Sequence, residues 1–281
     1  MSLAWFNGAF ADGPLALDPR DRGLLLGDGL FETLLVLNRV ALWSNMHFAR
    51  MESSARELGI GFDRDLTDRG VAEVVERLDD QPHVLRVTLT RGSGVRGLAG
   101  NGGNSSLLMT AEPFDKALMF KPVALVTASV MRGMQSIAAR MKTLSYIDNI
   151  WAAREAKARG VEDALMLNSE GRVASSTIAN VFLVKGRKLI TPGRDQAILT
   201  GVTRQALLAA AARAGFKPEE RAVKPQELQK ADAVFLTNSL RFIRPVTALD
   251  QQALETGDLT PFTEALCEAA RLQCGVDPRL I

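Results

Sequence analysis

The 281-residue chain predicts an α+β protein of two lobes. Three observations carry that reading. Apolar stretches of strand length recur along the chain, helical periodicities separate them, and a charged, proline-bearing stretch at 116–122 divides the pattern into 1–115 and 123–281. With 47% hydrophobic and 23% charged residues, the chain can bury a full core.

In the first lobe, GLFETLLVLNRVALW (29–43) reads as a hairpin turning at Asn38 and Arg39. Ser44 is the expected N-cap of a helix in which Phe48, Met51, Ala55 and Leu58 recur at helical spacing, closed by Gly59. His47, Arg50 and Ser54 form a polar stripe beside that apolar face. A second helix is expected around 66–78. HVLRVTLTRG (83–92) and SSLLMTAEPF (105–114) read as neighbouring strands, with a glycine-rich loop between them.

The second lobe opens with VALVTASV and passes through Lys142 into a helix ending near 159. DALMLN, RVASS, NVFLVKG and KLITP follow as short strands, TRQALLAAAARAG as a helix ending at Gly215, AVFLTNSL and IRPVTAL as strands, and TPFTEALCEAARLQC as the closing helix. Two lobes on a short linker imply a cleft, the usual home of a ligand.

Composition excludes several classes of function. Lys plus Arg total 34 against 32 Asp plus Glu, and the net charge of +2 gives no field that would recruit nucleic acid or an anionic membrane. The first residues lack a basic stretch followed by an apolar run, and no run of about 18 apolar residues occurs. Cys267 and Cys274, seven apart in the closing helix, read as reduced core residues, which points to the cytoplasm. His47 and His83 are the only histidines, without HExxH or zinc-spaced cysteines, so no metal is expected. No GxSxG supports a serine hydrolase. Catalysis must then use lysine, carboxylate, hydroxyl or a borrowed cofactor.

The candidate residues each have a plain reading and a chemical one. Lys142 is either a solvated lysine or a reactive amine. Its expected place near a helix start disfavours a cation and favours the free amine that a Schiff base requires. Arg91 and Arg96, in RGSGVRGLAGNGG, either face solvent or meet a carboxylate through paired N–H donors. That loop lacks GxxxxGK[ST] and is no phosphate loop of that kind. In ILTGVTRQALL (198–208), Gly201, Val202 and Thr203 would present N–H groups and a hydroxyl to an anion, or Thr200 or Thr203 would simply cap the helix. Thr237, Asn238 and Ser239 form a turn or a second hand on the same anion.

Seven segments in order, DRGLLLGDGLFET, HFARMESSARELGI, RGSGVRG, KTLSY, NVFLV, ILTGVTRQALL and FLTNSLRFIRPV, resemble the class IV aminotransferase family, the fold-type IV enzymes that use pyridoxal phosphate. The resemblance implies a cofactor in the interdomain cleft and Lys142, in the C-terminal lobe, as the Schiff-base lysine and acid/base. Arg50 would clamp the cofactor phosphate, Val202 and Thr203 would add donors, and Asn238 or Ser239 would complete the cup. Leu26 and Phe31 match positions lining the substrate side, and Arg91 or Arg96 would reach a substrate carboxylate. Tyr146, the only tyrosine, either faces the cofactor or packs on its helix. A homodimer is implied as well.

One position departs from the family pattern. Five residues before the Asn of NVF the family places a glutamate on the pyridine nitrogen; here Ser175 stands there, and Glu170 reads as a turn residue. The glycine loop and the TNSLRF strand end lean toward release of pyruvate from 4-amino-4-deoxychorismate to give 4-aminobenzoate. The alternative is aminotransfer between branched-chain or D-amino acids and a 2-oxo acid. A relic without catalysis is the third reading, with Ser175 as its first scar; retention of both Lys142 and Arg50 argues against it.

Overall fold

The computed structural model describes residues 3–99 and 103–281, so part of the glycine-rich loop lies outside the described residues. The chain divides into two compact units. The first comprises Met1–Lys116, Met141–Ser145 and Ala270–Ile281, and the second Ala117–Arg140 and Tyr146–Ala269.

In the first unit the elements are β1 (Leu3–Phe6), β2 (Ala9–Phe10), α1 (Arg22–Leu26), β3 (Gly29–Leu37), β4 (Val40–Ala41), α2 (Ser44–Leu58), α3 (Arg64–Glu76), β5 (His83–Thr90) and β6 (Ser106–Pro113). Six strands form one antiparallel sheet in the order β2-β1-β6-β5-β3-β4. The expected hairpin is present. Asn38 and Arg39 both adopt positive φ (47° and 58°), the backbone a two-residue turn needs to match the twist of its strands. Alternation in β5 buries every second residue from His83, and β3 is buried almost throughout. The sheet packs on α2 and α3 through Trp5, Leu34, Phe48, Met51, Val74, Leu85 and Met109. Burying each large side chain of this set contributes about 2 kcal/mol.

The helix predicted from Ser44 starts there, but Trp43 is its cap, in the left-handed region at φ 53° and without a side-chain bond to the helix. Its backbone N–H goes instead to Gln273 Oε1. Gly59 closes the helix at φ 65°, as its sequence position suggests.

The second unit holds β7 (Val123–Thr127), α4 (Ile137–Arg140), α5 (Ile147–Ala158), β8 (Asp163–Leu167), β9 (Val173–Ser176), β10 (Asn180–Lys185), β11 (Lys188–Pro192), α6 (Val202–Ala211), β12 (Lys217–Arg221), α7 (Pro225–Gln229), β13 (Ala233–Asn238), β14 (Phe242–Leu249), β15 (Gln252–Ala253) and most of α8 (Thr260–Cys274). Its strands run β12-β11-β10-β13-β14-β7-β8-β9, and β9 returns to pair with β10, so six of them close a ring. Phe182, Phe235 and Phe262 stack in its core, with centroids 5.2 and 5.6 Å apart. Cys267 and Cys274 are buried and are not joined in a disulfide.

The sequence reading is corrected at Lys142. It placed the residue in the C-terminal lobe at a helix start. Residues Met141–Ser145 belong to the first unit and join β3 through an antiparallel bridge between Leu30 and Thr143: Phe31 N–H donates to the Lys142 carbonyl at 2.9 Å and Leu144 N–H to Gly29 O at 2.9 Å. Helix α5 begins at Ile147, more than a full turn later, beyond the reach of its terminal dipole. Backbone pairing to β3, and not a helix end, positions this amine.

Candidate active site

Two groups of residues, one in each unit, carry the chemistry. In the first unit, β3 brings a carboxylate into an otherwise apolar strand. Glu32 is 1% exposed, and its Oε2 accepts from Arg50 Nη2 at 2.6 Å and from His47 Nδ1 at 2.7 Å, while Oε1 accepts from Arg50 Nε at 2.8 Å. A carboxylate can only accept here, so His47 carries its proton on Nδ1. Burial alone would raise the Glu32 carboxyl, but the Arg50 charge and the His47 and Arg50 hydrogen bonds bring it down to about 2. Burial pushes His47 below its ordinary value, and the charges of Arg50 and Lys142 add to that against the opposing pull of Glu32. Lys142 and Arg50 thus share one electrostatic neighbourhood, with the Arg50 fork held in orientation by its two bonds to Glu32.

Phe31, adjacent to Glu32, offers its ring to two cations. Lys142 Nζ lies 4.2 Å from the ring centroid, and Arg86 Cζ, from β5, lies 3.9 Å from it. Phe31 is thus the ring that both cations contact. Thr143 Oγ1 is buried and has no hydrogen-bond partner.

The other residues expected on the substrate side separate. Leu26 and Arg96 line one concavity of about 520 Å³ together with Arg20, Arg22, Leu25 and Leu98. Arg91 is corrected: its Nε and Nη2 bond Asp28, and Nη1 and Nη2 bond the carbonyls of Gly59 and Leu58. Asp28 also accepts from Arg22 Nε at 2.9 Å. Burial would raise the Asp28 carboxyl; these arginines hold it below its ordinary range. Arg91 braces the loop, and of the two arginines Arg96 is the one with an exposed side chain.

In the second unit, α6 begins at Val202 after Gly201, and no side chain caps it, so neither Thr200 nor Thr203 serves as the simple cap that was one expectation. Its first turn presents unsatisfied N–H groups and the positive end of the helix dipole. Thr203 Oγ1 lies 3.4 Å from Ser239 Oγ, and Thr237 Oγ1 is buried without a hydrogen-bond partner. Asn238 is corrected, because its Oδ1 accepts from the N–H groups of Leu240 and Arg241 and serves the turn. Ser239 takes the place beside Thr203. Gly201 N–H donates to Asn180 Oδ1, and a Cβ at this glycine would fall 2.2 Å from that oxygen, so glycine is required by close approach. Ser175 lies opposite Asn180 on β9, buried, its hydroxyl donating to the Ser176 carbonyl at 2.7 Å. Glu170 is exposed in the turn after Asn168, as expected. Tyr146 precedes α5 as its cap residue.

A hydroxyl pair, an orphaned buried hydroxyl and an uncapped helix N-terminus suit a phosphate; a lysine beside a carboxylate-braced arginine suits an aldehyde-bearing anion. Against known proteins, residues 29–249 match the model of amino-transferase class IV. The chain belongs to this family. It is similar to the D-alanine aminotransferase of Bacillus licheniformis, 29% identical with 92% of each chain covered. Among solved structures it resembles 4-amino-4-deoxychorismate lyase from Pseudomonas aeruginosa (30% identity, TM-score 0.84, 98% and 100% of the two chains). It also resembles a hypothetical aminotransferase from Mycobacterium tuberculosis in its PLP-bound form (25% identity, TM-score 0.85, 95% and 98%).

This class IV chain therefore has the fold-type IV architecture, is an enzyme and uses pyridoxal phosphate. Sequence reasoning missed Glu32, His47 and Arg86 as site residues. A charged residue inside the buried run LFETLLVL was the available signal for Glu32. Arg86 gave none, because an arginine on an alternating strand looks solvent-facing until the neighbouring strand brings Phe31 beneath it.

Proposed function

We propose that this enzyme is a 4-amino-4-deoxychorismate lyase-like member of the family, releasing pyruvate and forming 4-aminobenzoate. When bound, pyridoxal phosphate supplies an aldehyde for the substrate amine and a ring that draws electrons from the neighbouring carbon. In this reading Lys142 carries the cofactor and moves the proton at the substrate carbon, its position set by pairing with β3. In the second unit the α6 end with Thr203 and Ser239 offers donors to a phosphate, and in the first Glu32 orients the Arg50 fork toward an anion. Arg86 and Arg96 are the carboxylate readers; Phe31 gives the substrate a flat wall beside Lys142. The exposed Leu24, Leu25, Leu26, Val95 and Leu98 offer an apolar surface suited to a second copy, and a homodimer is part of the proposal.

The single observation carrying the lyase reading is Ser175. A neutral hydroxyl whose own proton is given to the Ser176 carbonyl cannot keep a ring nitrogen protonated as a carboxylate does. Transamination relies on that protonation more than an elimination whose product gains aromaticity. The similarity to a D-alanine aminotransferase supports the second reading, aminotransfer with a D- or branched-chain amino acid. Cofactor-loaded protein incubated with aminodeoxychorismate should release equal amounts of 4-aminobenzoate and pyruvate, and should form little glutamate from L- and D-amino acids with 2-oxoglutarate. Robust glutamate formation with no 4-aminobenzoate would overturn the lyase reading in favour of the second.

A further inference from the structure

Four arginines that the fold wholly or largely covers are paired with carboxylates. Arg22 bonds Asp28, Arg50 bonds Glu32, Arg204 bonds Glu220 and Arg244 bonds Glu162. Arg132 bonds none. Its Nε is sealed from solvent without a hydrogen bond, and no carboxylate among the described residues comes within ion-pair distance. Its backbone is nevertheless fixed: its N–H donates to Leu167 O at 2.8 Å, its carbonyl accepts from Ser169 N–H at 3.0 Å, and it bridges Asn168 in parallel. The backbone of Arg132 is thus fixed on the second unit, while no carboxylate among the described residues pairs with its side chain. Burial disfavours that charge, and Tyr146 and Asp148 are the titratable groups that oppose the effect. A partly buried guanidinium with one sealed, unsatisfied N–H is costly, and an anion that bonds it would complete it.

We propose that Arg132 is a binding seat for the carboxylate of a small-molecule ligand, held beside Tyr146. Arginine's planar fork matches a carboxylate through two parallel N–H bonds. The neighbours in sequence, Met131 and Ile147, are 53% and 66% exposed, so the seat suits a carboxylate carried on an apolar or aromatic body. Only the identity of the ligand, an acid of the enzyme's own reaction, rests on the proposed function; the need of Arg132 for an anion does not.

Calorimetric titration of cofactor-loaded protein with 4-aminobenzoate and, separately, 2-oxoglutarate tests the proposal without turnover. At least one should bind the wild type. Arg132→Met should weaken that binding by roughly tenfold to a hundredfold, as expected for lost charge-assisted bonds, and Arg132→Lys by less, with cofactor absorbance retained in both. Should Arg132→Met fail to fold, Arg132→Gln replaces it in the same comparison. Wild-type affinity in a folded variant, or no binding of either acid to the wild type, would overturn the seat. Failure of the lyase reading would show separately, as absence of 4-aminobenzoate formation from aminodeoxychorismate.

Discussion

Replacing Glu32 with glutamine should destabilise the cofactor-free protein by about 3 kcal/mol at pH 7. The magnitude follows from the depression of the Glu32 carboxyl from an ordinary 4.5 to about 2, at about 1.4 kcal/mol per unit. Removing one partner of a buried ion pair independently suggests about 3–5 kcal/mol. Glutamine can place its oxygen where Oε2 accepts from His47 and Arg50, but its amide nitrogen then faces Arg50 Nε, donor against donor. A group whose carboxyl is depressed by folding contributes its stability in full above its ordinary value and loses it as pH falls. The gap between wild type and Glu32→Gln should therefore be constant above about pH 5 and close toward pH 2. Urea midpoints of the two proteins across pH 3 to 8 measure this gap. A difference under 1 kcal/mol at pH 7, or one that does not shrink with acid, would refute the account of Glu32 as an ionised brace for Arg50.

Further outcomes follow from the same geometry. Gly201→Ala, whose Cβ would sit 2.2 Å from Asn180 Oδ1, should cost about 1–3 kcal/mol and raise the dissociation constant for the cofactor, read by absorbance titration. Arg91→Ala should lower the melting temperature by removing bonds to Asp28, Leu58 and Gly59, whereas Arg96→Ala should leave it unchanged and raise KM; the opposite pattern would exchange their roles. Lys142→Ala should abolish turnover and the visible band of the bound cofactor, and a band that persists would place the covalent link elsewhere. Ser175→Glu should raise aminotransfer relative to elimination, measured as the ratio of glutamate to 4-aminobenzoate formed.

Local signals in the sequence were strong wherever backbone geometry is set by neighbours in the chain. The Asn38–Arg39 turn, the Gly59 helix end and the alternation of β5 were legible because turn conformation and side-chain period are local properties. The Gly201–Val202 helix start was legible for the same reason. Membership of Lys142 in the first unit was not, since the pairing of residues 141–145 with β3 spans more than a hundred residues and leaves no local trace. Arg91 and Arg96 look alike in sequence; only tertiary contact with Asp28 distinguishes brace from reader. Arg132 escaped notice because what marks it is the absence of a partner, a property of the folded surroundings alone.

The composition of the first unit also bears on how this protein can be made and divided. The unit includes residues 141–145, bridged to β3, and 270–281, so a fragment ending at 116 would leave Glu32 and Phe31 without the peptide that delivers their lysine. During synthesis the larger part of the chain must emerge before that unit can be completed. Truncation and complementation experiments should cut within surface loops of the second unit, such as the Gly186 turn, instead of at the apparent linker.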